Sequence, residues 1–567
     1  VKALPEYERL SNQYERWQEA SSGWMKADLS AMGELSPDAF KRELYERFSV
    51  EAEFGTGGLR SKIRAGTNGI NDFWIKRICK ALRIDSKKVV IAYDTRKYSK
   101  EFAVCAAETL SSGNVQVYLF SEPVPTPVLS FAVQTLHCDT GIVITASHNP
   151  KEYNGFKLYD ANGVQYIPDK IKSLKAQMAN IKLLEKDDTP PLPHLIQPVS
   201  SDVYDRYFNQ VYEELLSVSQ SCSDEAADIQ VVYTPLHGTG ARFVPPIMSH
   251  FGVSVQVVDA QMTPDPDFST VTVPNPEDPD AFALALEQAR QMSSKPQALI
   301  ATDPDADRLG LFVLTQKGYQ SLTGNELGVL LLDYILRKKG IDDYGYRCAV
   351  LKTIVTTDAI KPMAQDYQIK IEETLTGFKY LGDLAVRLRS QGIDVLFSFE
   401  ESFGYLFGTH SGDKDACSTA GLLALLLLDC GGGEGIVQRL DQIRRQYGYY
   451  LEHLVTYTAE GVDGMNKLSE FMQDLRSRQP LNDWEEGVQM KDYLTEQSHL
   501  QSDVVAFLFS NGDRVIFRPS GTEPKVKAYI NVHTQPSQSP GLEKDKAAQR
   551  LEWMILEVRK LLRVNLN

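Results

Sequence analysis

The sequence is short of positive charge. Across 567 residues, 60 Lys and Arg stand against 75 Asp and Glu, a net charge of -15 with histidine neutral. Such a chain lacks the basic footprint that non-specific nucleic-acid binding needs, so no nucleic-acid partner is expected. The deficit does not bar small anionic substrates, because a few Arg and Lys residues in a cleft decide that locally. Cysteine is sparse as well. The seven stand singly at 79, 105, 138, 222, 348, 417 and 430, with no C-x-x-C. An odd, scattered set fits reduced thiols in a cytoplasmic protein. Long apolar runs are missing: the longest Leu-rich stretch, Leu422–Leu428, is far short of the roughly 20 residues of a membrane span. It reads as a buried helix ended by Gly431, Gly432 and Gly433. The opening VKALPEYERL has charges and no apolar h-region, so neither a signal peptide nor a membrane partner is expected.

What the sequence does contain is ordinary globular material, 43% hydrophobic and 24% charged, in a length that suggests about four domains. Residues 1–48 are charged, with Leu10, Tyr14 and Trp17 at helical spacing, and read as an N-terminal helical extension. A pattern then recurs three times. KVVIAYDT, VQVYLF and TGIVITASHNP read as strands, the last ending in a polar loop, with a helix from Lys100 between the first two. After a Pro-rich segment at 189–194, IQVVYTP, a helix in ARFVPPIMSHF, VSVQVV and QALIATDPDADR repeat the scheme. CAVLKTIVT, TDAIKPMAQDY, IKIEET and DVLFSFEESFG repeat it again. Open α/β sheets bind ligands outside the carboxyl ends of their strands, so three such units can present three loops to one cleft. The tail differs. VVAFLF and RVIFRP flank an Asn-Gly turn, a hairpin signal, and KVKAYINV alternates charged and apolar residues. The expected fold is therefore α/β: three similar mixed α/β domains at 49–211, 212–322 and 323–454, then a smaller C-terminal α+β domain at 455–567.

Four loops carry candidate chemistry. Thr145-Ala146-Ser147-His148-Asn149-Pro150 offers a serine beside a histidine, with Lys157 shortly after. Serine is a weak nucleophile that needs a base or electrostatic help, and alone the segment reads equally as a capped turn. Asp303-Pro304-Asp305-Ala306-Asp307-Arg308 places three carboxylates at alternate positions. They repel unless a cation lies between them, and hard oxygen ligands suit Mg2+. An EF-hand is excluded, since Arg308 and Leu314 stand where it needs Gly and Glu. A solvated acidic turn and a D-x-D nucleophile of the haloacid-dehalogenase kind are the alternatives, although the latter belongs early in its domain. Glu400-Glu401-Ser402-Phe403-Gly404, followed by Asp413-Lys414-Asp415, offers partners for sugar hydroxyls or merely a charged turn. Arg518-Pro519-Ser520-Gly521-Thr522-Glu523-Pro524-Lys525 makes an oxyanion cradle or a hairpin loop of mixed charge. Gly55-Thr56-Gly57-Gly58-Leu59-Arg60 is not a P-loop, because it lacks Gly-Lys-Ser/Thr. Gly238-Thr239-Gly240 lacks the last glycine of a dinucleotide fingerprint and reads as a tight turn. His194, His250, His453, His499 and His533 read as surface or packing residues.

In combination, GTGGLR, TASHNP with NGFK, DPDADR, EESFG and RPSGTEPK resemble the α-D-phosphohexomutase family of phosphoglucomutases and phosphomannomutases. They occur in the family's order and span residues 55 to 525. The resemblance implies four domains around a central cleft, each supplying a loop. It implies that Ser147 carries a phosphate, and that Ser147, Asp303, Asp305 and Asp307 hold Mg2+. Arg60, Lys157 and Arg308 match the family's active-site cations, His148 its histidine, and Lys414 a lysine proposed for proton transfer. Glu400 and Ser402 match the readers of sugar hydroxyls. Thr376, Gly377 and Lys379 resemble the third-domain specificity loop, and Arg518, Ser520, Gly521 and Thr522 the distal phosphate site. The long N-terminal segment and GTGGLR look like the phosphoglucomutase/phosphopentomutase subgroup. Gly57 and Phe399 depart from the common pattern without removing a functional atom. The implied reaction interconverts a sugar 1-phosphate and 6-phosphate, first of all of α-D-glucose, with glucose 1,6-bisphosphate as the activating intermediate. Phosphomannomutase, phosphopentomutase and glucose-1,6-bisphosphate synthase activities are the alternatives, and a non-catalytic sugar-phosphate sensor is a further one. Small sugar phosphates are the expected partners, in a cytoplasmic monomer or dimer.

Overall fold

The computed structural model describes residues 3–55, 57–185, 189–219, 229–339, 347–459, 464–479, 484–485, 487–498, 500–520, 525–537 and 540–566. Three helices, Ala3–Ala20, Gly23–Gly33 and Pro37–Phe48, open the chain. The helical spacing noted in the sequence buries Leu10 and Trp17, with Met25, Leu29, Leu44 and Phe48, in one small core. Asp28 fixes this extension to the first α/β unit: its carboxylate accepts from the Arg47 guanidinium and, at 2.9 Å, from the Ala65 amide.

Among the described residues the strands form four sheets. The first contains β1 (Phe54–Gly55), β2 (Gly58–Lys62), β3 (Lys88–Tyr93), β4 (Gln116–Leu119), β5 (Thr140–Ile144), β6 (Tyr153–Asp160) and β7 (Ile196–Pro198), in the order β1-β2-β6-β5-β3-β4-β7. The second holds β8 (Gln230–Thr234), β9 (Ser254–Val257), β10 (Ala298–Thr302), β11 (Leu309–Thr315) and β12 (Gly318–Leu322), ordered β12-β11-β10-β8-β9. The third is β14 (Lys370–Thr374), β13 (Cys348–Thr353), β15 (Asp394–Glu400) and β16 (Gly404–Phe407), in that spatial order.

The three sheets share one four-strand module: β4-β3-β5-β6, β9-β8-β10-β11 and β14-β13-β15-β16. In each, the first three strands are parallel and the fourth is antiparallel. The connection from third to fourth strand is therefore always a turn at a carboxyl end. These three turns carry the Ser147, Asp303–Asp307 and Glu400–Ser402 segments. The central strands read as unbroken apolar runs because both faces are covered. Val89 and Ile91 of β3 join the core beside helix Ser99–Ser111, whereas Val90 and Ala92 join that beside helix Thr126–Thr135. One continuous core runs through all three modules, from Val90 to Ile443.

The fourth sheet is antiparallel throughout: β17 (Tyr450–Thr458), β21 (Lys525–His533), β20 (Arg514–Pro519), β19 (Val505–Leu508) and β18 (Gln489–Asp492) in spatial order. Helices Gly464–Arg478 and Pro540–Leu566 close a separate core on it. The Asn-Gly hairpin forms as expected, with Gly512 at φ +91°. Two expected limits fall inside elements: helix Asp202–Leu216 runs through 211, and β17 starts at 450 and pairs with β21. The short β7, beyond the Pro-rich segment, belongs to the first sheet; three residues are too few to show a periodicity. No single described helix is long and apolar enough to cross a membrane. The Leu-rich helix Ala416–Cys430 is buried in protein.

Candidate active site

The three module turns meet. Ser147 Oγ donates to Asp303 Oδ2 at 2.7 Å and lies 3.0 Å from His148 Nδ1. Asp303, Asp305 and Asp307 are buried and present carboxylate oxygens all within 4.8 Å of one another. Lys157 Nζ sits 2.7 Å from Asp305 and 3.3 Å from Asp307. From the third module, Lys414 Nζ reaches Asp307 at 3.2 Å and Glu400 at 3.7 Å. Arg60, exposed on β2, donates to Asn149 Oδ1 at 3.3 Å. Arg308 turns to Glu277. Ser402 is half-buried in the third turn.

The Asp303–Asp307 loop is held by backbone bonds from several sides. Thr126 N donates to Asp305 O, Thr239 N to Pro304 O, Leu309 N to Phe403 O and Ala416 N to Ala306 O. Gly238 lies so close to this loop that a Cβ there would come within 2.5 Å of Pro304, which explains the tight turn. Each of the three loops contains a non-glycine residue in the left-handed region: Ser147 (φ +54°), Ala306 (+49°) and Phe403 (+64°). Such conformations cluster at functional sites, where the surroundings enforce them. At Ser147 the enforcement is visible. The buried Arg96 guanidinium donates to the carbonyls of Ser147 and Asn149, and to those of Pro150 (2.9 Å) and Tyr153 (3.2 Å). Asp94, 3.3 Å away, supplies its counter-charge, and Phe268 covers the guanidinium face.

The electrostatics separate the three carboxylates. Burial, with Asp307 and Asp305 beside it, pushes Asp303 well above the usual carboxylate range. Burial and Asp307 act the same way on Asp305, but Lys157 outweighs them and holds it low. Lys414 and Lys157 overcome burial to hold Asp307 lower still. Conversely, against burial, Asp305 and Asp307 raise Lys157, and Asp307, Asp413 and Glu400 raise Lys414. His148 is pushed well below its ordinary value by burial, then by Arg308 and Arg60, and is neutral at pH 7.

The donor set fits a hard divalent cation. Asp305 Oδ1 and Asp307 Oδ1 are buried and accept no hydrogen bond. Orphaned anionic oxygens are costly unless something cationic takes them, and an all-oxygen set of this kind suits Mg2+.

A second cluster is rich in cations, with Glu401 and Glu277 near enough to act on one of them, Lys527. Arg518 on β20 and Lys527 on β21 stand directly opposite each other, a destabilising arrangement unless an anion joins them. Lys379, just after Gly377 (φ +114°) and Thr376, is pushed down to about 8 by burial and then by Arg518. Arg518 also approaches Tyr529 Oη at 3.5 Å. Ser520 begins the loop after β20, its amide bonded to Lys525 O at 2.7 Å. Gly521 and Thr522 lie outside the described residues.

Family models of the phosphoglucomutase/phosphomannomutase α/β/α domains I, II and III match residues 51–185, 205–317 and 323–446, and that of the C-terminal domain matches 476–538. The chain belongs to the phosphoglucomutase/phosphomannomutase family. As a member it is a sugar-phosphate mutase of the phosphohexomutase type. A phosphoglucomutase of Staphylococcus aureus strain N315 is 34% identical over 539 residues, 90% of this chain and 94% of that protein. One of Staphylococcus haemolyticus is 33% identical over 90% and 96%. Parafusin, a phosphoglucomutase of Paramecium solved in an open form, superposes with a TM-score of 0.68 at 20% identity, covering 91% of this chain and 96% of that one. A phosphomannomutase solved from Thermus thermophilus and titled putative gives 0.65 at 22%, over 90% and 99%. These two structures speak to the fold alone.

Within this phosphohexomutase, sequence reasoning missed Arg96, Asp94 and Lys527. Arg96 directly follows the strand phrase KVVIAYDT, and a charged residue after a buried strand was the available signal. Lys527 is one position in an alternating strand, and only its cross-strand pairing with Arg518 marks it out.

Proposed function

We propose that this mutase interconverts α-D-glucose 1-phosphate and glucose 6-phosphate through phosphoserine at Ser147, with glucose 1,6-bisphosphate as the intermediate that primes it. The observation that carries the reading is Ser147 Oγ lying 2.7 Å from Asp303 in a triad whose other two members keep buried, unbonded oxygens. The relatives that share a third of the sequence are named phosphoglucomutases, which favours glucose over mannose or a pentose.

Phosphoryl transfer needs positioning and charge neutralisation. The Oγ–P bond of phosphoserine 147 breaks as phosphorus bonds to the free hydroxyl oxygen of the sugar monophosphate. That hydroxyl's proton passes to a base. His148, a neutral imidazole 3.0 Å from Ser147 Oγ, is placed for this and hands the same proton to the serine oxygen as the Oγ–P bond breaks. Lys414, kept an ammonium against burial by Asp307, Asp413 and Glu400, adds positive charge at the transferring group. Asp303, Asp305, Asp307 and Ser147 would hold Mg2+, which supplies charge neutralisation at the transferring group. Arg60, Lys157 and Arg308 neutralise the remaining charge, and Arg308 must exchange Glu277 for phosphate to do so. Glu400 and Ser402 grip the sugar hydroxyls in both orientations. Thr376, Gly377 and Lys379, with Arg518, Ser520, Gly521, Thr522 and Lys527, take the phosphate that is not being transferred. The bisphosphate then turns end for end and returns its other phosphate to Ser147. Exclusion of water protects the phosphoserine from hydrolysis.

The test is a coupled assay with Mg2+ and catalytic glucose 1,6-bisphosphate, run over glucose, mannose, ribose and glucosamine 1-phosphates. Glucose 1-phosphate is expected to give the highest kcat/KM, and Ser147→Ala to lose activity by about 10³-fold or more. Full activity in the alanine variant overturns the phosphoserine route. A faster turnover of mannose or ribose 1-phosphate overturns the substrate. Net bisphosphate made from an acyl-phosphate donor faster than isomerisation assigns the synthase reaction instead.

A further inference from the structure

Lys414 lies on the loop between β16 and helix Ala416–Cys430. Its stem is long and flexible, so the position of its ammonium depends on how firmly the loop backbone is held. Behind the loop is a buried group that the proposed chemistry does not use. The His410 side chain is wholly inaccessible, with Nδ1 2.5 Å from Glu214 Oε2 and Nε2 2.7 Å from Asp415 Oδ2.

The partners decide its protonation state. Asp415 Oδ2 also accepts from Tyr207 Oη at 2.7 Å, and Oδ1 accepts the amides of Cys417 and Ser418. Glu214 Oε1 accepts the Thr409 amide at 2.7 Å and its hydroxyl at 3.1 Å, with Gln210 at 3.3 Å. Both carboxylates act as acceptors on both oxygens. A neutral imidazole would turn one bare nitrogen against an anionic oxygen, so both ring nitrogens must carry hydrogen. Arg389, which donates to Gly408 O at 3.0 Å and faces Glu214, adds a second cation. Glu214, Asp415, His410 and Arg389 thus form a quartet of two anions and two cations, with Tyr207, Cys417 and, facing Arg389, Asp394 as further titratable groups beside it.

The bridge also joins two parts of the chain that are distant in sequence. Glu214 belongs to helix Asp202–Leu216, anchored in the main core by Tyr207, Val211 and Leu215. His410 and Asp415 flank the segment bearing Lys414. Asp415 caps helix Ala416–Cys430, whose first amide bonds to Ala306 O in the Asp303–Asp307 loop.

We infer that His410 is a positioning residue: as an imidazolium clamped between Glu214 and Asp415, it holds residues 409–415 so that Lys414 meets Asp307 and Glu400. The inference rests on the proposed role of Lys414. Its test is a double-mutant cycle on the full chain with His410→Gln and Lys414→Met. In the wild-type background His410→Gln lowers kcat by about 10- to 100-fold, as displacements of about 1 Å do, with KM for glucose 1-phosphate nearly unchanged. In the Lys414→Met background the same change costs less than about twofold, because nothing is left to position. Equal costs in the two backgrounds overturn the inference, and a mutase-inactive wild type overturns the proposed function instead. Glu214→Gln, which keeps an acceptor for the ring, is expected to fold and to lower kcat with KM unchanged; unaltered kcat in that variant also counts against the inference. Nitrogen-15 spectra of labelled histidine give a readout independent of turnover. Two protonated ring nitrogens at pH 8, lost in His410→Gln, are expected, and a single neutral tautomer overturns the assignment.

Discussion

At the scale of single residues, the cations around Ser147 divide into those beside the Asp triad and those behind the serine turn. Arg60, Lys157 and Lys414 point toward the carboxylates and the serine turn, while Arg96 works from the back, holding carbonyls. The distinction matters because buried charges respond to pH in opposite directions. Burial would lower His410, but Glu214 and Asp415 raise it from 6.5 to about 10. Its folded value exceeds its unfolded one, so its stabilisation is complete below about pH 6.5 and is lost as pH rises toward 10. Glu214 shows the reverse: His410 holds it below its ordinary 4.5 despite burial, so its contribution is lost on acidification. Melting temperature is therefore expected to fall more steeply between pH 7 and 9.5 for wild type than for His410→Gln. Parallel slopes would contradict the bridge.

At the scale of elements, the glycine-rich phrase GTGGLR is a problem in strand packing. Gly58 has φ +142°, and a Cβ there would lie 2.0 Å from the Phe156 carbonyl oxygen on β6. That contact lets β2 pair with β6, with Arg60 opposite Gly155 and Gly58 opposite Lys157. Gly58→Ala is expected to destabilise the first module by about 1–3 kcal/mol in denaturant melts. It is also expected to lower kcat/KM, because Arg60 moves with β2. A variant with wild-type kinetics would show that Arg60 does not depend on this pairing. The three modules were readable in the sequence for a related reason. Strands buried on both faces leave unbroken apolar runs such as TGIVI and ALIAT, and each run ends in a conspicuous polar turn. The pieces that were not readable are short or compensated: β7 has three residues, and β17 mixes exposed and buried positions without a clean period.

At the scale of the whole molecule, the Asp triad is where the modules are joined and where they are least comfortable. Its loop takes backbone bonds from both neighbouring modules, yet Asp303 carries charge only at a cost. Mg2+ is expected to raise the melting temperature of the wild-type protein, and a chelator to reverse the rise, since a ligand that binds only the folded state stabilises it. Asp303→Asn should melt no lower than wild type without metal, show a smaller Mg2+ shift and lose activity. A metal-independent melting temperature in the wild type would argue against the site. The fourth sheet has its own core on one face, while Val504, Ala506, Ile516 and Tyr529 pack with Ile354, Val355 and Leu375 of the third module. It is fastened to the third module by Arg514, which donates to Thr356 O at 2.7 Å and pairs with Asp358 at 3.3 Å.

The order of residues was enough to read the architecture, the family resemblance and the candidate segments around Ser147, Asp303–Asp307 and Arg518. Those features reside in local composition: apolar runs, turn residues, and charges packed too densely for an ordinary loop. Which charges meet was settled by folding in three dimensions. Arg96 beneath Ser147, Lys527 across from Arg518, and His410 between Glu214 and Asp415 are separated by up to 196 positions along the chain. Electrostatic and hydrogen-bonding energies depend on distance in space and on the removal of water, and neither is written in the order of the residues.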